Sequence, residues 1–420
     1  MKRLLFTYLC ILFFAVLPAQ EQSTLDWNID DLFNEPAQKT PVEEPKNNEP
    51  EVTVNELMRQ KGITFNASYE FVVGVAPGLY ELPWDSTENL DIHVERYIKL
   101  KSSLTADAQI DDSLRVITSF YFTIPDFNIN LGDFFFDYNI NDKVFFRGGK
   151  YSNSWGLNSN FSFTNLLSRV PSDAYCGDSY IFKADIPTGI GGFQFLTLTR
   201  YNLMDSDLGP LKLKDFAFGG KYNLALKWAD FDTGVYYQEG MPLRAFLSIK
   251  TTLWKTEFYS EGLIAINDVP LDASGAVSFG FTKELFNNKF IINGEVLYNA
   301  EKDSYIYNPE TFIKDATVTL FKEQLHLALN LSYKFGGKIN PIFFTQMRYA
   351  PFENSMQLTP GFRFTPLSHL EVYLAVPMTL GSKDGYYYNS ENAYATYDGK
   401  TIPFSVVLFV KLTGNMQFKY

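Results

Sequence analysis

Cysteine is almost absent. Only Cys10 and Cys176 occur in 420 residues, and Cys10 lies in the apolar amino-terminal run, so a disulfide-built module is excluded. The remaining Cys176 can form no internal bridge, and an extracytoplasmic chain of this size must draw its stability from something else. Histidine is nearly as scarce. His93, His326 and His369 stand in no Ser/His/Asp or metal-ligand spacing, so we expect no catalytic residue, no cofactor and no metal, and do not read the chain as an enzyme. GIGG at 189–192 lacks a full phosphate-loop or dinucleotide sequence and fits a tight strand turn instead. Basic residues are outnumbered 36 to 48, with no basic stripe, which excludes nucleic acid as a partner. After residues 4–17 nothing approaches the roughly 20 unbroken apolar residues a spanning helix needs.

Aromatic residues are abundant: 39 Phe and 26 Tyr dominate the apolar fraction, an enrichment that favours strands and contact with lipid. Lys2 and Arg3, the apolar run 4–17 and the small Ala19 form an export signal over 1–20. A lipoprotein cut at Cys10 would leave too short an apolar segment. Residues 21–62 hold ten acids and four bases around PVEEPKNNEPE, an acidic, disordered periplasmic leader that carries half of the net charge of -12. NELMRQK at 55–61, a candidate short helix, is a solvated approach to the first strand or else a periplasmic plug or docking segment.

From Ile63 onward the pattern has period two, placing successive side chains on opposite faces of a strand. In 324–335, Leu325, Leu327, Leu329, Leu331, Tyr333 and Phe335 face one way, while Gln324, His326, Ala328, Asn330, Ser332 and Lys334 face the other. Residues 215–228, 254–266 and 290–300 repeat the design. Further strands are expected at 63–75, 94–110, 113–124, 127–138, 143–151, 180–187, 192–203, 231–240, 243–252, 272–283, 311–321, 342–349, 357–365, 368–380 and 403–420. Many exceed the five or six residues of an ordinary strand and match the roughly 9–11 residues of a tilted membrane-spanning one.

The fold class is therefore all-β, a transmembrane antiparallel β-barrel over 63–420. At roughly 20 to 22 residues per strand and connection it has about 16–18 strands, with 18 the first choice. Turns at Asn287–Asn288 and 336–338 are tight, and 78–93, 152–179, 204–213, 301–310 and 382–402 are longer. The chain ends VVLFVKLTGNMQFKY, with Met416, Phe418 and Tyr420 on one face. That ending resembles the terminal signal of bacterial outer-membrane barrels. The resemblance to outer-membrane porins covers 63–420 and implies outer-membrane localisation, lipid contact and a passage through the barrel-assembly machinery.

The most distinctive segment is VFFRGGKYSNSWGLNSNFSFTNLLSRVPSD, 144–173. A strand puts Arg147 and Gly149 on one face and Phe146, Gly148 and Lys150 on the other, before Trp155-Gly156 opens an irregular stretch that is a candidate inward-folding loop. Arg147, Gly149, Lys150, Trp155 and Gly156 resemble the strand end of alginate-export and other substrate-channel barrels, without carrying a substrate over. Fatty-acid-transporter barrels are a further comparison, but no amino-terminal hatch sequence is found.

Function follows the inner face, where polar side chains in a water-filled lumen select solutes by size and field. The candidate pore-lining residues are Arg147, Arg200, Lys221, Lys227, Lys255, Glu257, Glu261, Glu295, His326, Lys334, Arg348, Arg363 and Glu371. The candidate constriction-loop residues are Trp155, Gly156, Asn165, Arg169 and Asp173. Both signs occur, which argues against a purely anionic or cationic filter. The expected function is a porin or channel for passive diffusion of small polar solutes, as monomer or trimer. Its alternatives are a plugged structural or adhesive barrel, whose YYYNSENAYATYDGK loop (386–400) would contact sugars or protein, and a hydrophobic-solute channel of fatty-acid-transporter type.

Overall fold

The computed structural model describes residues 62–83, 92–125, 127–157, 160, 161, 164, 167, 180–199, 212–239, 241–268, 271–300, 305–307, 314–317, 324–388, 396, 397 and 400–419. The expected signal and almost all of the acidic leader, 1–61, lie outside them.

Eighteen strands form the wall. In chain order they are β1 (Gly62–Leu79), β2 (Ile92–Gln109), β3 (Leu114–Ile124), β4 (Asn128–Ile140), β5 (Val144–Lys150), β6 (Tyr180–Thr188), β7 (Gly191–Thr199), β8 (Phe216–Ala225) and β9 (Asp230–Gln238). They continue as β10 (Leu243–Leu253), β11 (Thr256–Asp268), β12 (Leu271–Leu285), β13 (Phe290–Asn299), β14 (Leu325–Lys334), β15 (Ile342–Ala350) and β16 (Ser355–Leu367). Two strands are interrupted: β17 (Leu370–Ala375 and Met378–Gly381) and β18 (Phe404–Ser405 and Val407–Lys419). Each pairs antiparallel with the next. β18 returns to β1 with Val75 opposite Leu408 and Thr64 opposite Lys419, so the sheet closes. Closure is what lipid demands, because a backbone N–H or C=O at an open edge would find no partner there.

The interruptions in β17 and β18 sit side by side next to four prolines, Pro77, Pro360, Pro377 and Pro403, which have no N–H to give to the ladder. The carbonyls nonetheless keep donors: Val376 N–H bonds to Pro360, Ser405 N–H to Pro377 and Val406 N–H to Pro77. One strand expectation fails. Of 311–321 the described residues, Lys314–Thr317, pair with Tyr305–Tyr307 in a separate two-stranded ribbon and not with the wall.

Connections alternate by rim. Those after even-numbered strands are short, the longest being 335–341, and both ends of the barrel chain lie at this rim. The long ones, 80–91, 151–179, 200–215, 300–324 and 382–403, all leave from the opposite rim, the arrangement of periplasmic turns and external loops.

Burial separates the two faces. Phe120, Phe182, Phe195, Leu247, Val277 and Phe279 point outward and are 47–53% exposed. An apolar band this extensive is not left to water and suits contact with lipid. Trp228 and Trp254 lie at the short-turn rim, where a ring that is half apolar and half wet suits headgroup depth. On the inner face Arg244, Ser248, Glu261, Glu295, His326 and Gln357 are buried.

Val277→Arg, at mid-height of β12 on the outer face, should lower the unfolding free energy in liposomes by about 2–4 kcal/mol. An unchanged denaturation curve would place residue 277 away from lipid.

Candidate functional site

The wall encloses more width than its inward side chains can fill, and the connection after β5 turns into that space. It begins where the backbone leaves the β5 ladder, at Tyr151. Trp155, Phe161 and Leu167 from this loop are buried against the inner faces of β6–β14, touching a surface that includes Leu196, Leu198, Ala217, Tyr236 and Phe246. These inward apolar residues would face water in an empty lumen, and the loop covers them. Burying each large side chain contributes about 1.5–3 kcal/mol.

Two local features seat the loop. Trp155 donates its indole N–H to Gln194 at 2.8 Å and lies 5.6 Å from the Phe246 ring. Gly219 makes room for it, since a Cβ there would approach the indole to 2.6 Å. Gly156 has φ +101°, left-handed backbone that favours glycine, and a Cβ on it would collide with Thr164.

Two carboxylates then pin the loop at mid-height of the wall. Glu261 on β11 accepts the Leu157 N–H, the Thr164 hydroxyl at 2.6 Å and the Ser248 hydroxyl at 2.9 Å. Glu295 on β13 accepts the Asn160 N–H at 3.1 Å, the Phe161 N–H at 3.0 Å and the Tyr259 hydroxyl at 3.2 Å. Asn160 also donates to Asn293 at 2.7 Å and accepts from Asn330 at 2.7 Å. Buried loop N–H groups would otherwise go without partners, and carboxylates form the stronger class of hydrogen bond.

A second inward contact comes from the 382–403 connection. Tyr386 and Tyr387 donate their N–H groups to Glu353 and to the Ser355 hydroxyl. The Tyr387 hydroxyl lies 3.4 Å from His326 Nδ1. The His326 ring stands 5.1 Å from Tyr386 and 5.9 Å from Phe161, so the two inward loops meet across it. Burial pushes the Tyr386 phenol up to about 12.

Below this level, toward the short-turn rim, ion pairs run along the inner face: Arg115–Asp107 at 2.6 Å, Arg147–Asp137 at 2.6 Å, Lys183–Asp185 at 2.8 Å, Lys221–Asp232 at 3.1 Å and Lys250–Glu257 at 2.8 Å. Arg147 is bidentate on Asp137 and stacks over the Phe135 ring at 4.4 Å.

The residues singled out from sequence therefore fall into distinct places. Arg147, Lys221, Glu257, Lys334, Arg348, Arg363 and Glu371 stand on the inner face. Glu261 and Glu295 stand there too, engaged with the loop, and His326 is covered by both loops. Lys227 and Lys255 do not belong to the wall: they are exposed in the turns 226–229 and 254–255, because the alternation of their strands runs on into the turn. Trp155 and Gly156 are inside the barrel. Arg200, Asn165, Arg169 and Asp173 lie outside the described residues. The acidic partners Asp107, Asp137, Asp185 and Asp232, and the clamp residues Asn160, Thr164 and Ser248, were not identified from sequence. Among the described residues no group of His, Cys, Asp and Glu is arranged to hold a metal.

Gly219→Val should expel the Trp155 indole, seen as a red shift of tryptophan emission in the folded barrel. The same substitution in a Trp155→Phe background should give no shift; a shift there would locate the effect elsewhere.

No protein-family model matches the chain, and no curated protein does. Solved structures do. OccK3 (OpdO) of Pseudomonas aeruginosa superposes with TM-score 0.54 at 10% identity, over 85% of this chain and 96% of that one. OccK5 (OpdH) of the same organism gives 0.53 at 9%, over 84% and 98%. The outer membrane protein opdK of P. aeruginosa gives 0.50 at 8%, over 84% and 99%. At such identities the likeness concerns fold alone, and this chain has the fold of outer-membrane porins, a closed antiparallel barrel of 18 strands.

Proposed function

We propose that the chain is a channel of the bacterial outer membrane through which small polar solutes diffuse passively. The observation that carries this reading is the loop held inside a closed, lipid-facing wall by Glu261 and Glu295. A loop fastened at mid-height narrows a wide barrel and leaves selection to the side chains opposite. Arg147, Lys221, Glu257, Arg348, Arg363 and Glu371 are the pore-lining groups in this reading. Glu261 and Glu295 serve as fasteners rather than as contacts for solutes. Because Arg147, Lys221 and Glu257 sit in ion pairs, these three groups exert little net field of either sign.

Segment 1–20 as export signal and 21–62 as periplasmic leader belong to the same proposal, as does recognition of the β18 end by the barrel-assembly machinery.

The test is the current through the refolded chain in a planar bilayer. Wild type should show discrete steps of ion current with weak preference between anions and cations. Glu261→Ala/Glu295→Ala should give larger steps with greater noise, since the loop loses its acceptors. Absence of current in protein shown to be folded would contradict the channel reading. Equal steps from wild type and the double variant would contradict the role of the two carboxylates.

A further inference from the structure

The lower lumen is not walled uniformly. Along β2–β11 its charges are paired side chain to side chain, but across β18, β1, β2 and β3 the inner face opens into a cavity of about 680 Å³. A second cavity of about 450 Å³ adjoins it, sharing Ser68, Ser103 and Asn415 as lining.

The chemistry of this strip is unusual for the lumen. Its donors and acceptors are mostly short and neutral: Asn66, Ser68, Ser103, Thr105, Thr413 and Asn415. The Ser68 and Ser103 hydroxyls are 2.7 Å apart across the β1–β2 pair, so they present a joined pair of groups, each able to give or take a hydrogen bond. The charged groups nearby are engaged with one another or with an aromatic ring. Lys411 is bound to Glu70 at 2.7 Å, and Lys101 lies over the Tyr121 ring at 5.0 Å with Glu70 opposite it in the β1–β2 register. A free anion would have to compete with Glu70, and a free cation with Lys411.

Tyr121 supplies the remaining element. It borders the cavity, and Gly132 on β4 keeps open the space its ring occupies, since a Cβ there would overlap it. An aromatic ring beside rows of neutral hydroxyl and amide groups suits a ligand with apolar C–H faces and a hydroxyl edge. It offers little to a compact ion.

We propose that this strip is a binding site for neutral polyhydroxylated solutes, of the size of a short oligosaccharide, on the periplasmic side of the constriction. The inference deepens the channel reading and rests on it for the site's role, but binding itself can be measured without conduction.

The experiment is isothermal titration calorimetry of the refolded chain in lauryldimethylamine oxide, a detergent without a sugar headgroup, with maltotriose as the neutral probe and sodium gluconate as the anionic one. Maltotriose should bind and gluconate should not. Tyr121→Ala should weaken maltotriose about tenfold, whereas Tyr121→Phe should retain it, because the ring and not its hydroxyl makes the contact. Each variant is checked for folding by its heat-dependent gel migration. Gluconate binding in preference to maltotriose, or no maltotriose binding by the folded wild-type chain, would overturn the proposal. Maltotriose binding in a barrel that passes no ion current would leave the site standing and remove the channel reading. Current without maltotriose binding would do the reverse.

Discussion

The backbone's need for hydrogen-bond partners in lipid is the constraint on which the rest depends. A sheet in that medium has no tolerable edge, so β18 must return to β1, and the alternation along every strand divides the chain into a lipid face and a lumen face. Eighteen strands make the closed wall too wide for its own inward side chains to fill. The interior then becomes a second design problem, answered by chain from the external rim.

That answer is partly apolar and partly ionic. Trp155, Phe161 and Leu167 give the loop a surface that the inner wall accepts, while Glu261 and Glu295 collect the N–H groups that an irregular buried backbone leaves without partners. The same logic recurs at Tyr386 and Tyr387, whose N–H groups go to Glu353 and Ser355. The loop packs along β6–β14, a second apolar cluster (Val72, Phe344, Tyr373, Phe409) lies on the inner face of β15–β18 and β1, and the cavities lie nearer the short-turn rim across β18–β3.

Much of the wall was legible in the sequence, because alternation is a local signal. Within 324–335 and 215–228, residues 325–334 and 216–225 fold with the predicted faces outward and inward. The signal fails where alternation has another cause or simply runs on: 314–317 lies in a ribbon outside the wall, and Lys227 and Lys255 lie in turns. The inward loop announced itself through Trp155-Gly156. Its partners did not, because Glu261 and Glu295 are more than ninety residues away from it in sequence and look like any lumenal acid until the register is known. A clue was nevertheless present. Leu196, Leu198, Phe246, Leu263 and Leu297 put apolar groups on the face that should be wet, and such residues require something to cover them. The cross-strand ion pairs of β2–β11 were hidden for a different reason, since each depends on which residues the register sets side by side; Lys183–Asp185, two apart on β6, is the exception.

The central claim is that two buried carboxylates fasten the inward loop, and hydrogen–deuterium exchange at the amides of Leu157, Asn160 and Phe161 tests it most directly. These N–H groups belong to no strand, yet each donates to Glu261 or Glu295. The account predicts that they exchange as slowly as the neighbouring strand amides of β11 and β13 in the folded barrel. Exchange at the rate of an open external loop would contradict it.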